Sequence, residues 1–417
     1  MVKLLIIADD FTGALDTGIQ FAKEGIRTQV FTTSKVDTQR LNPDTEVLVV
    51  NTESRPMSGD DAYKVVYGIA DWAVKQEIEI ILKKTDSALR GNIGMELQAV
   101  SGAVTDQPLF FLPGHPKIQR ITSKGVHYVE GKLVEDSVFG KDPYEPVKQS
   151  YIPDIIKMQS DITVNCIGTE DKITSDIAAS TGVVVCDIKK AENLDTRVDQ
   201  LIQKKKVRAI AGCSALGECL AKKITFQHTE KKVFEKTAIL YVACGSLNKI
   251  TGEQVDYAKQ WGGFVRRHLS IEQKLDENYY TTARGQSFLK EMIDLCKENS
   301  KIVVDSFDTS GEKEAYLKQH SIPAEKVRKL IPAAFGQMIK ALVNSGLDIT
   351  VLMTGGDTLM GYMNLIGCTQ IEPICEIEQG VVVSWVEQNG IRQQVISKSG
   401  GVGDKDILCK IADTIIK

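Results

Sequence analysis

The 417-residue sequence has no long apolar run and no concentration of one charge sign. No stretch approaches the roughly 20 apolar residues that span a bilayer, and the apolar run at residues 4–8 is too short for a signal peptide. Basic residues (51) nearly balance acidic ones (55), and no block of five or six like charges occurs. We therefore predict a cytoplasmic protein with no membrane or nucleic-acid partner.

The cysteines also lack the spacing of a disulfide framework or a metal site. There are nine, an odd number, and no CxxC pair. Cys213 and Cys219 lie six positions apart without a second Cys or His pair nearby. We expect reduced, mostly buried thiols, and the sequence identifies no metal ligands.

Several familiar catalytic signatures are absent. The sequence contains no GxxxxGK[ST], no GxGxxG after a strand, no HExxH and no GxSxG. These absences argue against a P-loop protein, a Rossmann dinucleotide enzyme, a zinc protease and a serine hydrolase.

The pattern that is present is typical of an α/β protein. One core stops growing at roughly 250–300 residues, so this length favours two domains. In the first half, short apolar runs alternate with amphipathic helical patterns such as 13–24 and 60–74, which predicts a mostly parallel, doubly wound sheet. The predicted strands are 3–8, 29–33, 46–51, 78–83, 109–112, 163–167, 182–187 and 207–212.

A polar connector at residues 223–236 divides the chain into predicted domains 1–230 and 231–417. The second domain repeats the α/β pattern and then changes to antiparallel strands before a final helix. Its predicted strands are 238–243, 263–267, 301–305, 348–353, 376–377, 381–386 and 394–397, and its final helix is 404–416. We therefore predict two α/β domains, the C-terminal one with extra antiparallel strands.

Polar clusters follow two predicted strands of the first domain. Asp9 and Asp10 precede Gly13, which opens a helical pattern, and residues 83–92 combine cations, a carboxylate and hydroxyls. Ligands of open parallel sheets bind beyond the carboxyl ends of the strands, and arginine is suited to carboxylate recognition. A small acidic substrate would fit these groups, although a helix cap and a charged surface turn would give the same pattern.

A third feature of the first domain is the proline-flanked His115, which is followed by Arg120. His115 could contact substrate, but a lone histidine is more often a structural donor.

The second domain contains three glycine loops, at 244–246, 354–358 and 398–404, each after a predicted strand and before a helical pattern. Glycine lets a backbone approach a ligand, and the first N–H groups of a helix bind phosphate. Together with the hydroxyls of Ser246 and Thr358, the loops favour a polyphosphate cradle, although each could be an ordinary tight turn.

Taken together, these segments resemble the four-carbon acid sugar kinase family. Six of its motifs occur here in order: ADDxTGA, KxDSxLRGN, RxTxxGxxY, GS, GG-acid-T and KSGGxG. They match residues 8–14, 84–92, 120–128, 245–246, 355–358 and 398–403. Departures at Ala88, Gln119 and 114–115 lie in the substrate half and bear on which stereoisomer is used.

The resemblance implies an N-terminal sugar-acid-binding domain and a C-terminal nucleotide-binding domain facing it across a cleft. It implies ATP-dependent phosphorylation of the terminal hydroxyl of threonate, erythronate or a 3-oxo-tetronate, with Mg²⁺ bridging the phosphates. The implied ATP contacts are Ser246, Gly355, Gly356, Asp357, Thr358, Gly400, Gly401 and Gly403. A homodimer is compatible with the sequence.

For the chemistry, we predict that Asp10, or failing it Asp86, accepts the hydroxyl proton. Neighbouring side chains of an extended segment point to opposite sides, so Asp9 would orient the loop or cap the helix. Arg90, helped by Lys84, would hold the substrate carboxylate. The remaining predicted substrate contacts are Ser87, His115 and Arg120.

Two other functions stay open from sequence alone. One is an NAD(P)-dependent dehydrogenase of sugar acids, which the missing dinucleotide motif disfavours. The other is a non-catalytic sugar-acid sensor, which the full set of glycine loops disfavours.

Overall fold

The structure is a computed structural model that describes residues 2–142, 144–245, 248–308, 311–388 and 390–417. The chain divides into two compact units, Met1–Lys231 and Lys232–Lys417. Both units are α/β, and the second adds antiparallel strands, so the predicted fold class is confirmed. Among the helices of the described ranges, none is long and apolar enough to cross a membrane.

The first unit is built on a parallel sheet whose strand order is β2-β3-β1-β4-β11-β5-β10-β9. Its strands are β1 (Leu4–Ala8), β2 (Thr28–Phe31), β3 (Val47–Asn51), β4 (Ile80–Lys84), β5 (Leu109–Leu112), β9 (Val164–Ile167), β10 (Val183–Cys186) and β11 (Ala209–Gly212), with β6 to β8 in a separate sheet. Strands β1, β3 and β4 are buried along their whole length, as a sheet covered on both faces requires.

Helices cover this sheet: α1 packs with α7, and α2 packs with α3. The helices are α1 (Phe11–Ala22), α2 (Gly59–Lys75), α3 (Ile93–Ala103), α4 (Ile152–Lys157), α5 (Ser175–Ala178), α6 (Ala191–Gln203) and α7 (Ser214–Lys223). The chain passes from β1 to β2 on one side and then returns to β4 on the other. This reversal at β1 is a topological switch point, where open α/β sheets bind ligands.

A small antiparallel sheet, which we did not predict, occupies residues 120–133. It consists of β6 (Arg120–Ser123), β7 (Val126–Val129) and β8 (Lys132–Leu133). Its strands have four residues or fewer and contain no continuous apolar run, so the hydrophobic pattern did not reveal them.

The second unit has parallel strands in the order β13-β14-β12-β15-β18, and β17 and β16 extend the sheet antiparallel. Its strands are β12 (Ile239–Cys244), β13 (Val265–His268), β14 (Lys301–Asp305), β15 (Ile349–Thr354), β16 (Gln370–Glu378), β17 (Val381–Gln388) and β18 (Ile391–Lys398). Its helices are α8 (Lys249–Trp261), α9 (Ile271–Leu275), α10 (Ala283–Glu298), α11 (Lys313–Gln319), α12 (Ala324–Asn344), α13 (Gly356–Ile366) and α14 (Ile407–Ile415).

Strand β16 is much longer than the predicted strand at 376–377. Proline cannot donate to a sheet, so Pro373 is an unusual residue within a strand. In the structure, a register shift between Pro373 and Cys375 accommodates the proline within the pairing of β16 with β17.

Candidate functional site

The carboxyl end of β1 places two neighbouring carboxylates in different surroundings. Asp9 is 2% exposed, whereas the Asp10 side chain is 25% exposed. Asp10 is the N-cap of α1 and accepts a hydrogen bond from the Gly13 N–H at 3.0 Å. The capping role that we gave as one option for Asp9 was therefore wrong. Asp9 lies one residue too early to reach the third helical N–H.

Arg55, in the loop after β3, joins the carboxylates of this region. Its Nε donates to Asp9 Oδ2 at 2.8 Å, and its Nη2 lies 2.9 Å from Asp10 Oδ1. The same Nη2 lies 3.8 Å from Asp86 Oδ1, in the loop after β4. Arg55 thus connects the ends of three adjacent strands. Sequence reasoning missed it because residues 52–57 match no motif; the position after a strand was the only available signal.

The charges around Asp9 keep it ionised despite its depth. Burial raises the pKa of Asp9, but the Arg55 guanidinium and the Lys84 ammonium outweigh burial and lower that pKa below its usual value. Burial likewise opposes the charge of Lys84, whose pKa is nevertheless raised by Asp9 and Asp10. Lys84 Nζ lies 3.8 Å from Asp9 Oδ1. A Cβ at Gly13 would overlap Lys84 Nζ and Asp10 Oδ1, so this close packing requires glycine.

Asp86 is bound to Arg90 in the planar two-point geometry that arginine favours. Arg90 Nε donates to Asp86 Oδ2 at 2.9 Å and Nη2 donates to Oδ1 at 3.1 Å. Arg90 Nη1 also donates to Asp142 Oδ2 at 3.1 Å. Burial raises the pKa of Asp86, but Arg90 and Arg55 hold it well below its usual range. Asp86 is therefore a poor proton acceptor, and much of Arg90 is already engaged by protein carboxylates.

Arg120 is the less engaged arginine of the region. Its Nη1 donates to the Ser87 hydroxyl, and its guanidinium lies 4.8 Å from the ring centre of Phe139. Within the described ranges, no carboxylate lies within 4 Å of this guanidinium. Burial lowers the pKa of Arg120. Sequence reasoning did not identify His127. Its Nδ1 forms a hydrogen bond with Thr122 Oγ1, and its Nε2 lies 3.0 Å from the Ser87 carbonyl. His127 therefore positions the loop that contains Ser87.

Five buried polar atoms in this unit have no hydrogen-bond partner among the described residues, among them Asp9 Oδ1, Thr85 Oγ1 and His115 Nδ1. Burial lowers the pKa of His115 to about 4, so its imidazole is neutral at pH 7. Buried polar groups are nearly always satisfied. A polar, anionic ligand would supply partners for these atoms and a carboxylate for Arg120, which has none within 4 Å among the described residues.

The glycine loops of the second unit follow β12, β15 and β18, as predicted. A Cβ at Gly245 would overlap the Thr358 hydroxyl, so glycine is required there. That hydroxyl donates to the Thr354 carbonyl at 3.0 Å, and Thr358 as a whole is 2% exposed. Gly355 has φ 87° and its N–H donates to the Lys398 carbonyl at 2.9 Å, directly before α13 begins at Gly356. The predicted contact Ser246 lies outside the described residues.

The loop at 399–403 is held from one side by helix α8. Thr251 donates to the Gly400 carbonyl, and Gln254 Nε2 donates to the carbonyls of Val402 (3.0 Å) and Gly403 (2.8 Å). Across the described ranges, the N–H groups of Gly400, Gly401 and Gly403 have no acceptor. Successive free N–H groups of this kind form an anion-binding concavity.

The described residues contain no group of three or more His, Cys, Asp or Glu side chains that could hold a metal ion. Mg²⁺ that binds together with a nucleotide commonly uses one or two carboxylates plus phosphate oxygens. Asp357, in the first turn of α13, is such a carboxylate: it is largely exposed and lies 3.3 Å from Arg328 Nε.

Comparison with known proteins adds independent evidence. A family model described as a sugar-binding N-terminal domain matches residues 4–220, just over half of the chain. A second model, described as a nucleotide-binding C-terminal domain, matches residues 241–408.

Three curated relatives carry kinase names. The D-threonate kinase of Salmonella typhimurium is 24% identical over 98% of this chain and 97% of its own length. The 3-oxo-tetronate kinase of Pectobacterium atrosepticum is 23% identical over 98% of both chains. The D-erythronate kinase of Heliobacterium modesticaldum is 30% identical over 47% of each chain.

Two solved structures share the fold over essentially the whole chain. A crystal structure from Salmonella typhimurium LT2 has a TM-score of 0.82 at 19% identity and covers 100% of both chains. Protein HI1011 of Haemophilus influenzae has a TM-score of 0.74 at 19% identity, covering 99% of this chain and 100% of its own.

Proposed function

The chain belongs to the four-carbon acid sugar kinase family, and we propose that it is an ATP-dependent kinase that phosphorylates the terminal hydroxyl of a four-carbon sugar acid. The first unit would bind the sugar acid and the second would bind ATP. The named relatives act on threonate, erythronate or 3-oxo-tetronate. They support the class of substrate and leave the isomer to experiment. A homodimer stays a prediction.

One observation carries the proposal: among the described residues of the first unit, the half-buried Arg120 guanidinium has no carboxylate partner and a buried carboxylate oxygen has no donor. Arg120 has no carboxylate within 4 Å in the described part of the chain, and Asp9 Oδ1 has no donor there. A sugar acid supplies a carboxylate for the first and hydroxyl groups for the second. A neutral sugar would supply no counterion for this half-buried guanidinium, whereas a sugar acid would.

The chemical step would depend mainly on positioning and electrostatics, as phosphoryl transfer generally does. Asp10 is the proposed proton acceptor, because its Oδ2 has no partner among the described residues and its side chain is partly exposed. Arg55 would fix Asp10 through the other oxygen, Oδ1. Bound Mg²⁺ would neutralise phosphate charge, with Asp357 as the carboxylate best placed to help hold it.

We propose Arg120, helped by Lys84, as the contact for the substrate carboxylate in place of Arg90, because the Arg90 guanidinium already donates to Asp86 and Asp142. Arg120→Met should raise the KM for the sugar acid by roughly 30-fold or more, because a lost partner of a buried charge costs roughly 2–5 kcal/mol. The KM for ATP should not change. Steady-state kinetics with each substrate varied in turn provides the measurement.

The control for this variant is turnover of the matching neutral sugar. Because that sugar has no carboxylate for Arg120 to bind, wild type and Arg120→Met should turn it over equally poorly. Arg90→Met should instead lower stability, because Asp86 and Asp142 lose their hydrogen bonds from the Arg90 guanidinium. A sugar-acid KM that Arg120→Met leaves unchanged would return the role to Arg90.

Gly401 offers a test of the ATP site that does not disturb the fold. Among the described residues, a Cβ on Gly401 would approach Asn248 Nδ2 alone, at 3.4 Å, which is an ordinary contact distance. Gly401→Ala should nevertheless weaken ATP binding at least about 10-fold, because the ligand needs close backbone approach. Isothermal titration calorimetry measures the change.

The matched control is Gly252→Ala in α8, whose Cβ would also meet one neighbour at 3.4 Å, the ring of Phe307. That variant should bind ATP normally. Equal affinity in both variants would place the nucleotide elsewhere.

A coupled ADP-release assay across three- to six-carbon sugar acids tests the function as a whole. We expect release with a four-carbon acid and little with its neutral analogue. Absorbance change with NAD(P)⁺ and no ADP release would favour the dehydrogenase, and binding without either signal would favour the sensor.

A further inference from the structure

Lys398, the last residue of β18, is a buried cation with no role in the proposed function. It is 1% exposed. Its Nζ donates to the Ser399 carbonyl at 3.1 Å, and in the ranges that the structure describes no carboxylate lies within 4 Å of it. A buried ammonium normally has an anionic partner, because desolvating an unpaired charge is expensive. Among the described residues, Lys398 therefore lacks the anionic partner that a buried ammonium normally has.

Lys398 lies at the end of the sheet where the three glycine loops begin. Cys244, Thr354 and Lys398 occupy the same register at the carboxyl ends of β12, β15 and β18. Each of these strands continues directly into a glycine loop. The Thr354 hydroxyl is also buried without a hydrogen-bond partner in the described residues.

The ammonium also lies at the start of the loop in which the N–H groups of Gly400, Gly401 and Gly403 have no acceptor among the described residues. Its acceptor, the Ser399 carbonyl, belongs to the first residue of that loop. Because α8 binds the carbonyls of Gly400, Val402 and Gly403, the loop keeps its N–H groups available. An ionised phosphate accepts several hydrogen bonds at once and would satisfy both the amides and the ammonium.

We propose that Lys398 is the cation that binds a phosphate group of the nucleotide, an inference that rests on the proposed ATP site. Lys398 would supply a point charge and the glycine loop would supply oriented amides. Lysine is suited to this task, since its ammonium can meet a phosphate oxygen from any direction.

The protonation of Lys398 supports this assignment. Burial lowers the pKa of Lys398 to about 8, and in the described part of the chain the titratable group that acts on it is the Cys244 thiol of β12. The neighbouring strands present Thr354 and Val381 at its register, and the Asp357 carboxylate of α13 pairs with Arg328. A bound phosphate would favour the charged form. ATP affinity should therefore hold below about pH 8 and fall as the pH rises above it.

Binding measurements on the full chain test the proposal. Lys398→Met should weaken ATP and ADP by about 10- to 100-fold while adenosine, which has no phosphate, binds as in wild type. Lys398→Arg should retain most of the ATP affinity and lose the decline above pH 8, since arginine stays protonated. Lys340→Met, at an exposed position of α12, is the control and should not change either ligand.

Proton uptake offers a readout that a purely structural lysine would not give. Titrations of wild type with ATP at pH 8, in two buffers of different ionisation enthalpy, should show net proton uptake, and Lys398→Arg should show none. This comparison also serves if Lys398→Met folds poorly.

Wild-type ATP affinity in Lys398→Met, or wild-type affinity that is flat from pH 7 to pH 9.5, would overturn the proposal. If wild type binds neither ATP nor tripolyphosphate, this inference and the ATP site fail together. If ATP binds through Lys398 but no sugar acid is phosphorylated, only the proposed kinase activity fails.

Discussion

Asp10→Asn is expected to lower kcat by at least about 100-fold, because a positioned base typically contributes about 10²–10⁴-fold. Among the three carboxylates around Arg55, Asp10 alone combines partial exposure with an oxygen that has no partner in the described residues. Asparagine caps helices as well as aspartate does, so α1 should persist. Its amide oxygen can still accept from Arg55. The loss should appear in kcat at saturating substrate, with ATP affinity unchanged by calorimetry.

Asp37→Asn is the matched control. Asp37 also caps a helical turn, at Thr38–Arg40, and lies 3.4 Å from an arginine, Arg40. That variant should keep wild-type kcat. Near-normal turnover by Asp10→Asn would mean that transfer needs no base here. If Asp10→Asn is active and Asp86→Asn is folded but inactive, Asp86 is the proton acceptor instead.

Arg55→Met is expected to lower the free energy of unfolding of the first unit by roughly 3–5 kcal/mol at pH 7. The substitution leaves Asp9, Asp10 and Asp86 close together without their shared cation. Trp72 is the one tryptophan of this unit, since the other two are Trp261 and Trp385. Urea unfolding followed by Trp72 fluorescence, in a background with Trp261 and Trp385 replaced by Phe, isolates the effect.

The loss of unfolding free energy in Arg55→Met should become smaller as the pH falls. The folded-state pKa of Asp9 is lowered and that of Asp86 is lowered further, from a reference of 3.8. Their stabilisation is therefore present above pH 3.8 and is lost as the pH falls through the folded-state values. In Arg55→Met these carboxyls should take up protons at higher pH, which relieves their repulsion. The difference from wild type should shrink as the pH falls from 7 towards 4.

Arg27→Met provides the control for charge removal alone. Arg27 pairs with Asp44 at 2.7 Å on the surface, where such pairs contribute about 0–1 kcal/mol. If both arginine variants lose the same stability, Arg55 does not hold the carboxylate cluster together.

Much of this site could be located from sequence because its residues follow strands. Asp9, Asp10 and Asp86 each come just after an apolar run, and carboxyl ends of parallel strands meet at one edge of a sheet. The same logic located the glycine loops after β12, β15 and β18. The long strand β16 and the sheet at 120–133 escaped prediction, because a proline in one and the shortness of the other hide the period-2 pattern.

By itself, the sequence determined the α/β class, the strand-end positions of the polar residues and the family to which the chain belongs. Only the tertiary structure decided which charges are paired. Arg55 meets Asp9 across 46 residues because β3 lies beside β1. Arg90 is bound by Asp86 and Asp142, whereas Arg120 and Lys398 have no carboxylate within 4 Å in the described ranges. Local periodicity encodes each strand, but the order of strands in a sheet depends on how the whole core packs, and that order sets these distances.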